Sequence, residues 1–208
     1  MSVEAPTDPE ATVNETVGPI AAAIESGLLP GRVWVYSNYH CNLECAYCLT
    51  ESAPRSTRRI IGPEQMVAIA EQAAALGFKE VGVTGGEPFL RRDLPDIIVA
   101  MSEHLPVTVL TNGTLFGGDR LDALDVLVDR PVRFQISLDS PDPEPNDAMR
   151  GPLNYAKVVD AVPRMVGRGH TVRIATTVDE GDMLPDDRVR LCALHRSWGI
   201  TDDDHLVR

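Results

Sequence analysis

Apolar and polar positions along this chain alternate between two periods. Short runs rich in β-branched and aromatic residues recur as VWVYSN (Val33–Asn38), EVGVTG (Glu80–Gly85), VTVLTN (Val107–Asn112), VRFQISLDS (Val132–Ser140) and VRIATTVD (Val172–Asp179). Each reads as a strand, and DHLVR (Asp204–Arg208) reads as the opening of a sixth, where the chain stops. Between them apolar residues fall at helical spacing. PEQMVAIAEQAAALG places Met66, Ile69, Ala70 and Ala73 on one side, with Pro63 in its first turn and Gly77 as a stop. Further helices are predicted within Leu94–His104, within Arg120–Val128, across Tyr155–Arg168, where Pro163 must be accommodated, and across Asp187–Trp198. A short helix over Gly18–Ser26 precedes the first strand, and residues 1 to about 18, rich in Pro, Thr, Glu and Asp, read as a mobile lead-in. The pattern divides the chain into a tail and short helix over residues 1–30 and one core domain over 31–208.

Strands alternating with helices at this spacing indicate βαβ units and a parallel sheet with right-handed crossovers. Periodicity leaves two architectures open, a doubly wound open sheet and a complete or partial (β/α) barrel. The polar residues say more. Each of the first four strands runs into a polar segment: the cysteine loop, Thr84-Gly85-Gly86-Glu87-Pro88, Thr111-Asn112-Gly113-Thr114, and Ser137-Leu138-Asp139-Ser140. In parallel α/β folds ligands sit at the carboxyl ends of the strands, so these four segments can face one site. Each alone is also an ordinary turn or cap signal. In the fourth strand a period of two puts Phe134, Ile136 and Leu138 on one face and Gln135, Ser137 and Asp139 on the other. A barrel interior holding Gln, Ser and Asp is expected to be wet or ligand-filled.

Composition narrows the picture. A chain of 208 residues with 43% apolar content suits one well-buried domain, and a formal net charge of −12 argues against a surface built to neutralise phosphates, hence no nucleic-acid partner. Arg55, Arg58 and Arg59 cluster as a local anion contact or as a solvated loop. No apolar run approaches the roughly 20 residues that span a bilayer, and the acidic N-terminus lacks the features of a signal peptide. A cytoplasmic location away from membranes is therefore expected. There, clustered thiols are metal ligands or catalytic groups rather than disulfides.

Cys41, Cys45 and Cys48 fall within YHCNLECAYCLTES, while Cys192 lies far off in a helical segment and reads as a buried thiol. Three thiolates in one loop supply one ligand too few for structural zinc, and His40 adjoins Cys41 too closely to be an easy fourth. They suit a cubane [4Fe-4S] cluster with one iron left open. A zinc or thiol redox site is the minor alternative.

Cys41-Asn42-Leu43-Glu44-Cys45-Ala46-Tyr47-Cys48, together with Thr84-Gly85-Gly86-Glu87-Pro88, resembles the two signatures of the radical S-adenosylmethionine (SAM) enzymes. The motif style is nearest the subgroup of the molybdenum-cofactor GTP cyclase and the SPASM-type maturation enzymes. The resemblance runs from about Val33 to Arg208 and implies a partial (β/α)6 barrel of the TIM type, cut near its sixth strand. It further implies a [4Fe-4S] cluster on the three cysteines and SAM on the open iron. Reductive cleavage of SAM then gives a 5′-deoxyadenosyl radical that takes hydrogen from a small molecule or peptide, with the electron coming from a low-potential donor such as flavodoxin or ferredoxin. Carried onto this chain, Gly85, Gly86 and Glu87 would meet the SAM amino group and Tyr47 the adenine. Asn112, Ser137 and Asp139 would face the ribose and carboxylate, Arg150 the carboxylate, and Thr177 the adenine or ribose. The alternative is a non-catalytic iron–sulfur protein on the same barrel. Relatives of this style carry extra cysteines beyond the barrel, and this chain has none, so it reads as a fragment or a minimal barrel.

Overall fold

The computed structural model describes residues 18–177 and 185–207. Six parallel strands, β1 (Arg32–Asn38), β2 (Glu80–Gly85), β3 (Val107–Thr111), β4 (Val132–Ser137), β5 (Thr171–Thr176) and β6 (His205–Val207), form one sheet in the order β1-β2-β3-β4-β5-β6. A doubly wound sheet reverses its strand order at a switch point. Here the order is sequential throughout and β1 and β6 are the two edges, which is the arrangement of a barrel left open.

The helices cover one face of that sheet. The described part of α1 spans 18–25, and α2 (Pro63–Ala75), α3 (Leu94–Ser102), α4 (Asp119–Asp122), α5 (Pro143–Arg150), α6 (Asn154–Gly167) and α7 (Pro185–Ser197) follow. Their apolar sides meet the outward residues of the strands in one core that includes Met66, Ile98, Met101, Val109, Phe134, Ile136, Leu138 and Ile174. The alternation expected in β4 holds: Phe134 and Ile136 enter this core, while Gln135 faces the concave inner side. Phe89, immediately after the Gly-Gly-Glu-Pro segment, packs edge-on to Phe116 with ring centroids 4.9 Å apart and stacks on Phe134 at 5.9 Å. Burying such a side chain stabilises by about 1.5–3 kcal/mol, so the segment is nailed to the core at its far end.

Three elements depart from the sequence pattern. The helix expected within Arg120–Val128 is one turn of α4 followed by a 3-10 turn, Asp125–Leu127. Helix α5 was not legible, because PEPNDAMR has no apolar stripe; it is held instead by buried polar residues, Asn146 and Arg150. The fourth strand ends at Ser137 rather than Ser140 and the fifth at Thr176, with Thr177 already outside it; Val178 and Asp179 lie outside the described residues, as does the lead-in before Gly18. Pro163 sits inside α6, where it removes the hydrogen bond to the Val159 carbonyl without ending the helix. Cys192 is half-buried rather than buried, with its Sγ 3.6 Å from His205 Nδ1.

Candidate functional site

The cysteine loop leaves the carboxyl end of β1, and the residues leading into it are fastened to the end of β2 by two backbone hydrogen bonds and one from the Asn38 side chain. The Gly86 amide donates to the Asn38 carbonyl at 3.1 Å, the Glu87 amide to the His40 carbonyl at 3.0 Å, and Asn38 Nδ2 to the Glu87 carbonyl at 2.8 Å. This approach is so close that side chains are excluded. A Cβ on Gly85 would stand 2.2 Å from the Asn38 carbonyl oxygen, and one on Gly86 would stand 2.0 Å from that of His40. Gly85 also has φ +136°, in the region only glycine adopts freely. The glycines are thus required by the cysteine loop itself.

Glu87 is fully buried, and every hydrogen bond it accepts comes from the neighbouring turns. Its Oε1 accepts from the Phe89 amide at 3.0 Å and from Thr111 Oγ1 at 2.8 Å, and its Oε2 from the Asn112 amide at 2.8 Å. Burial is the largest influence and pushes the carboxyl up to about 7, with these three donors opposing it. Asn112 extends the chain of contacts to the thiols. Its Nδ2 donates to Asn42 Oδ1 at 3.0 Å and lies 3.7 Å from Cys41 Sγ, while its Oδ1 accepts from Thr114 Oγ1 at 2.7 Å, which in turn accepts from Asn42 Nδ2 at 2.8 Å.

A second network secures the other side of the loop. Tyr47 donates its hydroxyl to Asp139 Oδ2 at 2.5 Å, and Arg150 pairs with the same carboxylate through Nε at 2.6 Å and Nη2 at 3.0 Å. The Thr177 amide donates to Asp139 Oδ1 at 2.9 Å, and Asn146 Oδ1 accepts from the Asp139 amide at 3.0 Å. The Arg150 guanidinium lies 5.4 Å from the Tyr47 ring centroid, and its carbonyl oxygen lies 3.7 Å from Cys45 Sγ. Burial, first of several influences, raises the Tyr47 hydroxyl above its ordinary range, so it stays protonated and donates.

The three thiols differ in surroundings. Burial pushes Cys41 up to about 11 and raises Cys45, against the opposing field of Arg150 in the second case. Burial also pushes Cys48 upward, but donors from Thr50, Ser52 and Glu51 outweigh it and leave that thiol below its ordinary value. Sequence reasoning had gathered Tyr47, Gly85, Gly86, Glu87, Asn112, Asp139, Arg150 and Thr177 at one end of the sheet, and the structure brings them together in these two networks around the cysteines. Ser137 lies at the same end, and its hydroxyl, like that of Thr177, makes no hydrogen bond among the described residues. Asn42, Thr114 and Asn146 were missed as network members. Asn42 and Thr114 follow the first cysteine and Asn112 closely, so their proximity to those motifs was the available signal. Arg55 pairs with Glu44 at 2.5 Å on the surface, and Arg58 and Arg59 are exposed, which is the solvated-loop reading.

Comparison with known proteins places this arrangement. Residues 35–189 match the radical SAM superfamily. The chain belongs to the radical SAM superfamily. GTP 3′,8-cyclase 1 of Mycobacterium tuberculosis is 31% identical over 153 residues, which is 68% of this chain and 41% of that protein. Mycofactocin maturase MftC of Mycolicibacterium smegmatis is 30% identical over 170 residues, 78% of this chain and 41% of that protein. This radical SAM chain therefore spans less than half the length of those relatives. Among solved structures, Streptococcus suis SuiB bound to S-adenosylmethionine superposes with a TM-score of 0.72 at 19% identity, covering 95% of this chain and 46% of SuiB. A radical SAM methyltransferase from Sphaerobacter thermophilus gives 0.63 at 19% identity, covering 86% and 67%. At such identities the likeness is one of fold, and it agrees with the open barrel.

Membership in the radical SAM family brings its cofactors, a [4Fe-4S] cluster and SAM. The donor set fits the first. Three thiols share one loop, and N–H groups point at the sulfurs of Cys41 and Cys48, from Leu43 and Ser52 at 3.4 Å each, as suits thiolate ligands of an iron–sulfur centre. His40 Nδ1 beside them is buried without a hydrogen-bond partner. Among the described residues no three His, Cys, Asp or Glu side chains are grouped to hold one metal ion, which is the closeness zinc demands. Thiolates on a cubane bind separate irons and stand further apart. No helix among the described residues is long and apolar enough to cross a membrane.

Proposed function

We propose that residues 31–208 form the core of an enzyme that cleaves SAM reductively and abstracts hydrogen from a small-molecule or peptide substrate, with residues 1–30 as a lead-in. The observation that carries this reading is the joining of the Cys41–Cys48 loop to Gly85-Gly86-Glu87 by backbone hydrogen bonds that tolerate no side chain. When bound, the cluster and SAM supply one-electron cleavage of a sulfonium C–S bond, giving methionine and a 5′-deoxyadenosyl radical able to take a hydrogen atom.

The chain's own residues divide into holders and positioners. Cys41, Cys45 and Cys48 hold the cluster. The Gly85-Gly86 backbone meets the SAM amino group, the Tyr47 backbone the adenine, and the hydroxyls of Ser137 and Thr177, unpartnered among the described residues, the ribose and adenine. Arg150 offers a cation to the SAM carboxylate while sharing its charge with Asp139. Glu87, Asp139 and the Asn112 side chain have their polar atoms engaged within the protein, so they act by fixing the loops that carry the others. Fixing those loops before ligands arrive spares their ordering cost at binding. A peptide or a small molecule as substrate is supported by kinship to a cyclase of GTP and to a mycofactocin maturase, and by the fold shared with SuiB, which has been seen with its precursor peptide SuiA. A flavodoxin- or ferredoxin-type protein supplies the electron.

Anaerobic reconstitution with iron and sulfide, then reduction in the presence of SAM, should yield 5′-deoxyadenosine. A complete cluster that leaves SAM intact would overturn the catalytic reading in favour of a non-catalytic iron–sulfur protein. Cys45→Ala should abolish the [4Fe-4S] absorbance and electron-resonance signals.

A further inference from the structure

At the amino ends of the strands, at the opposite end of the sheet from the cysteines, lies a cavity of about 640 Å³. Small-molecule sites commonly measure about 300–1,000 Å³. Its charged lining is four cationic side chains, Arg32, Lys79, Arg130 and Arg133, against one carboxylate, Glu80, in a chain whose formal net charge is −12. Two of the four cations are paired with carboxylates of the described residues, and two are not. Glu80 is committed to Arg32, which reaches it through Nε at 2.8 Å and Nη2 at 2.5 Å, and it also accepts from the Thr108 hydroxyl. Arg130 pairs with Glu103 at 2.5 Å on the rim.

The side chains of Lys79 and Arg133 make no ion pair or hydrogen bond among the described residues. Arg133 Nε is moreover buried without an acceptor. A buried donor left unpaired costs about 1–3 kcal/mol, more when charged, so its retention calls for a partner that the described residues do not supply. The strand register fixes where it points. Arg133 alternates with Val132 and Phe134, both in the core, and stands opposite Thr108 on β3 and Thr171 on β5, so its side chain enters the concave inner side.

We propose that this cavity binds the phosphate group of a small anionic ligand. The planar fork of Arg133 can take two phosphate oxygens at once, and Lys79 adds a point charge at the mouth. The bound anion supplies the missing acceptor for Arg133 Nε and relieves the mutual repulsion of the cations. Nothing in this assignment depends on the cluster or on SAM.

The purified chain, without cluster, is titrated with inorganic phosphate, pyrophosphate, ATP and citrate at ionic strength held constant with sodium chloride. Thermal unfolding and tryptophan fluorescence report binding, since the Trp34 ring lies over Gly82 with the Arg32 guanidinium 5.1 Å from its centroid; Trp198→Phe isolates that signal. Saturable binding of pyrophosphate or ATP is expected, the two arms separating a free anion from a nucleotide. Arg133→Gln should weaken it by about tenfold or more, as loss of one charge-assisted hydrogen bond predicts, and exposed Lys79→Gln by less. Shifts that track ionic strength whatever the anion, equal binding by Arg133→Gln with unchanged circular dichroism, or citrate binding as tightly as pyrophosphate would overturn the phosphate assignment. Because the readout needs no reduction or SAM, its failure is separate from failure of the deoxyadenosine assay.

Discussion

The two ends of this sheet treat polar groups in opposite ways. At the carboxyl end Glu87, Asn112, Asp139 and Arg150 close on one another, and their oxygens and N–H groups find protein partners. At the amino end Arg133 and Lys79 face a cavity with none among the described residues. The difference separates a place where the chain rigidifies its own loops from a place where it leaves charge unspent. A buried ion pair is expensive to break, whereas an unpaired charge is cheap to remove.

Breaking the closed end should cost most. Asp139→Ala leaves Arg150, itself only 5% exposed, without its counter-charge and unties Tyr47 and the Thr177 amide, so chemical denaturation should show a loss of about 3–5 kcal/mol. A pH series probes the same end through Glu87. Its folded carboxyl titrates near 7, above the ordinary 4.5, so the folded chain binds that proton more tightly than the unfolded one. Its contribution is therefore whole below about pH 4.5 and is lost as pH rises to about 7, a change on the order of 3 kcal/mol. Relative to wild type, Glu87→Gln should lack this fall between pH 5 and pH 8, and identical pH profiles would contradict it. Gly86→Ala, which forces a Cβ against the His40 carbonyl, should cost about 2–3 kcal/mol, while Gly117→Ala, with open space around it, should stay within about 0.5 kcal/mol in the same melting experiment. At the amino end Arg133→Gln breaks no ion pair among the described residues and removes a buried unsatisfied donor, so in the absence of added anion it should leave stability unchanged or raise it by up to about 1–3 kcal/mol. A loss as large as that of Asp139→Ala would erase the contrast.

What the sequence made legible followed from local pattern. Short β-rich runs located all six strands, and the turn-like polar segments at the ends of the first four marked the site. Helix α5 escaped because its burial rests on Asn146, which bonds to Asn154 at 2.9 Å and to the Asp139 amide, rather than on an apolar stripe. The protein partners of the two carboxylates escaped for a related reason. Period and motif place Glu87 and Asp139 at the ligand end, but Asp139 is consumed by Tyr47, which lies 92 positions earlier in the chain. Partnerships at that separation leave no local trace, so a residue aimed at a ligand and one aimed at a neighbouring loop look alike in sequence. The glycine pair was read for a ligand's approach; the close approach of the Asn38 and His40 backbone is a further demand on it that the sequence did not show.

The sequential strand order has a consequence for how the molecule comes into being. Every strand pairs with the one made just before it, so the contacts joining the cysteine loop to Gly86, Glu87, Asn112 and Thr114 are all encoded between residues 38 and 114. Contacts close in sequence form early, and during synthesis the amino-terminal portion folds first. The fastening of the thiol loop to the β2 and β3 ends can therefore form while later strands are still being translated, whereas its Cys45–Tyr47 side must await Asp139, Met149 and Arg150.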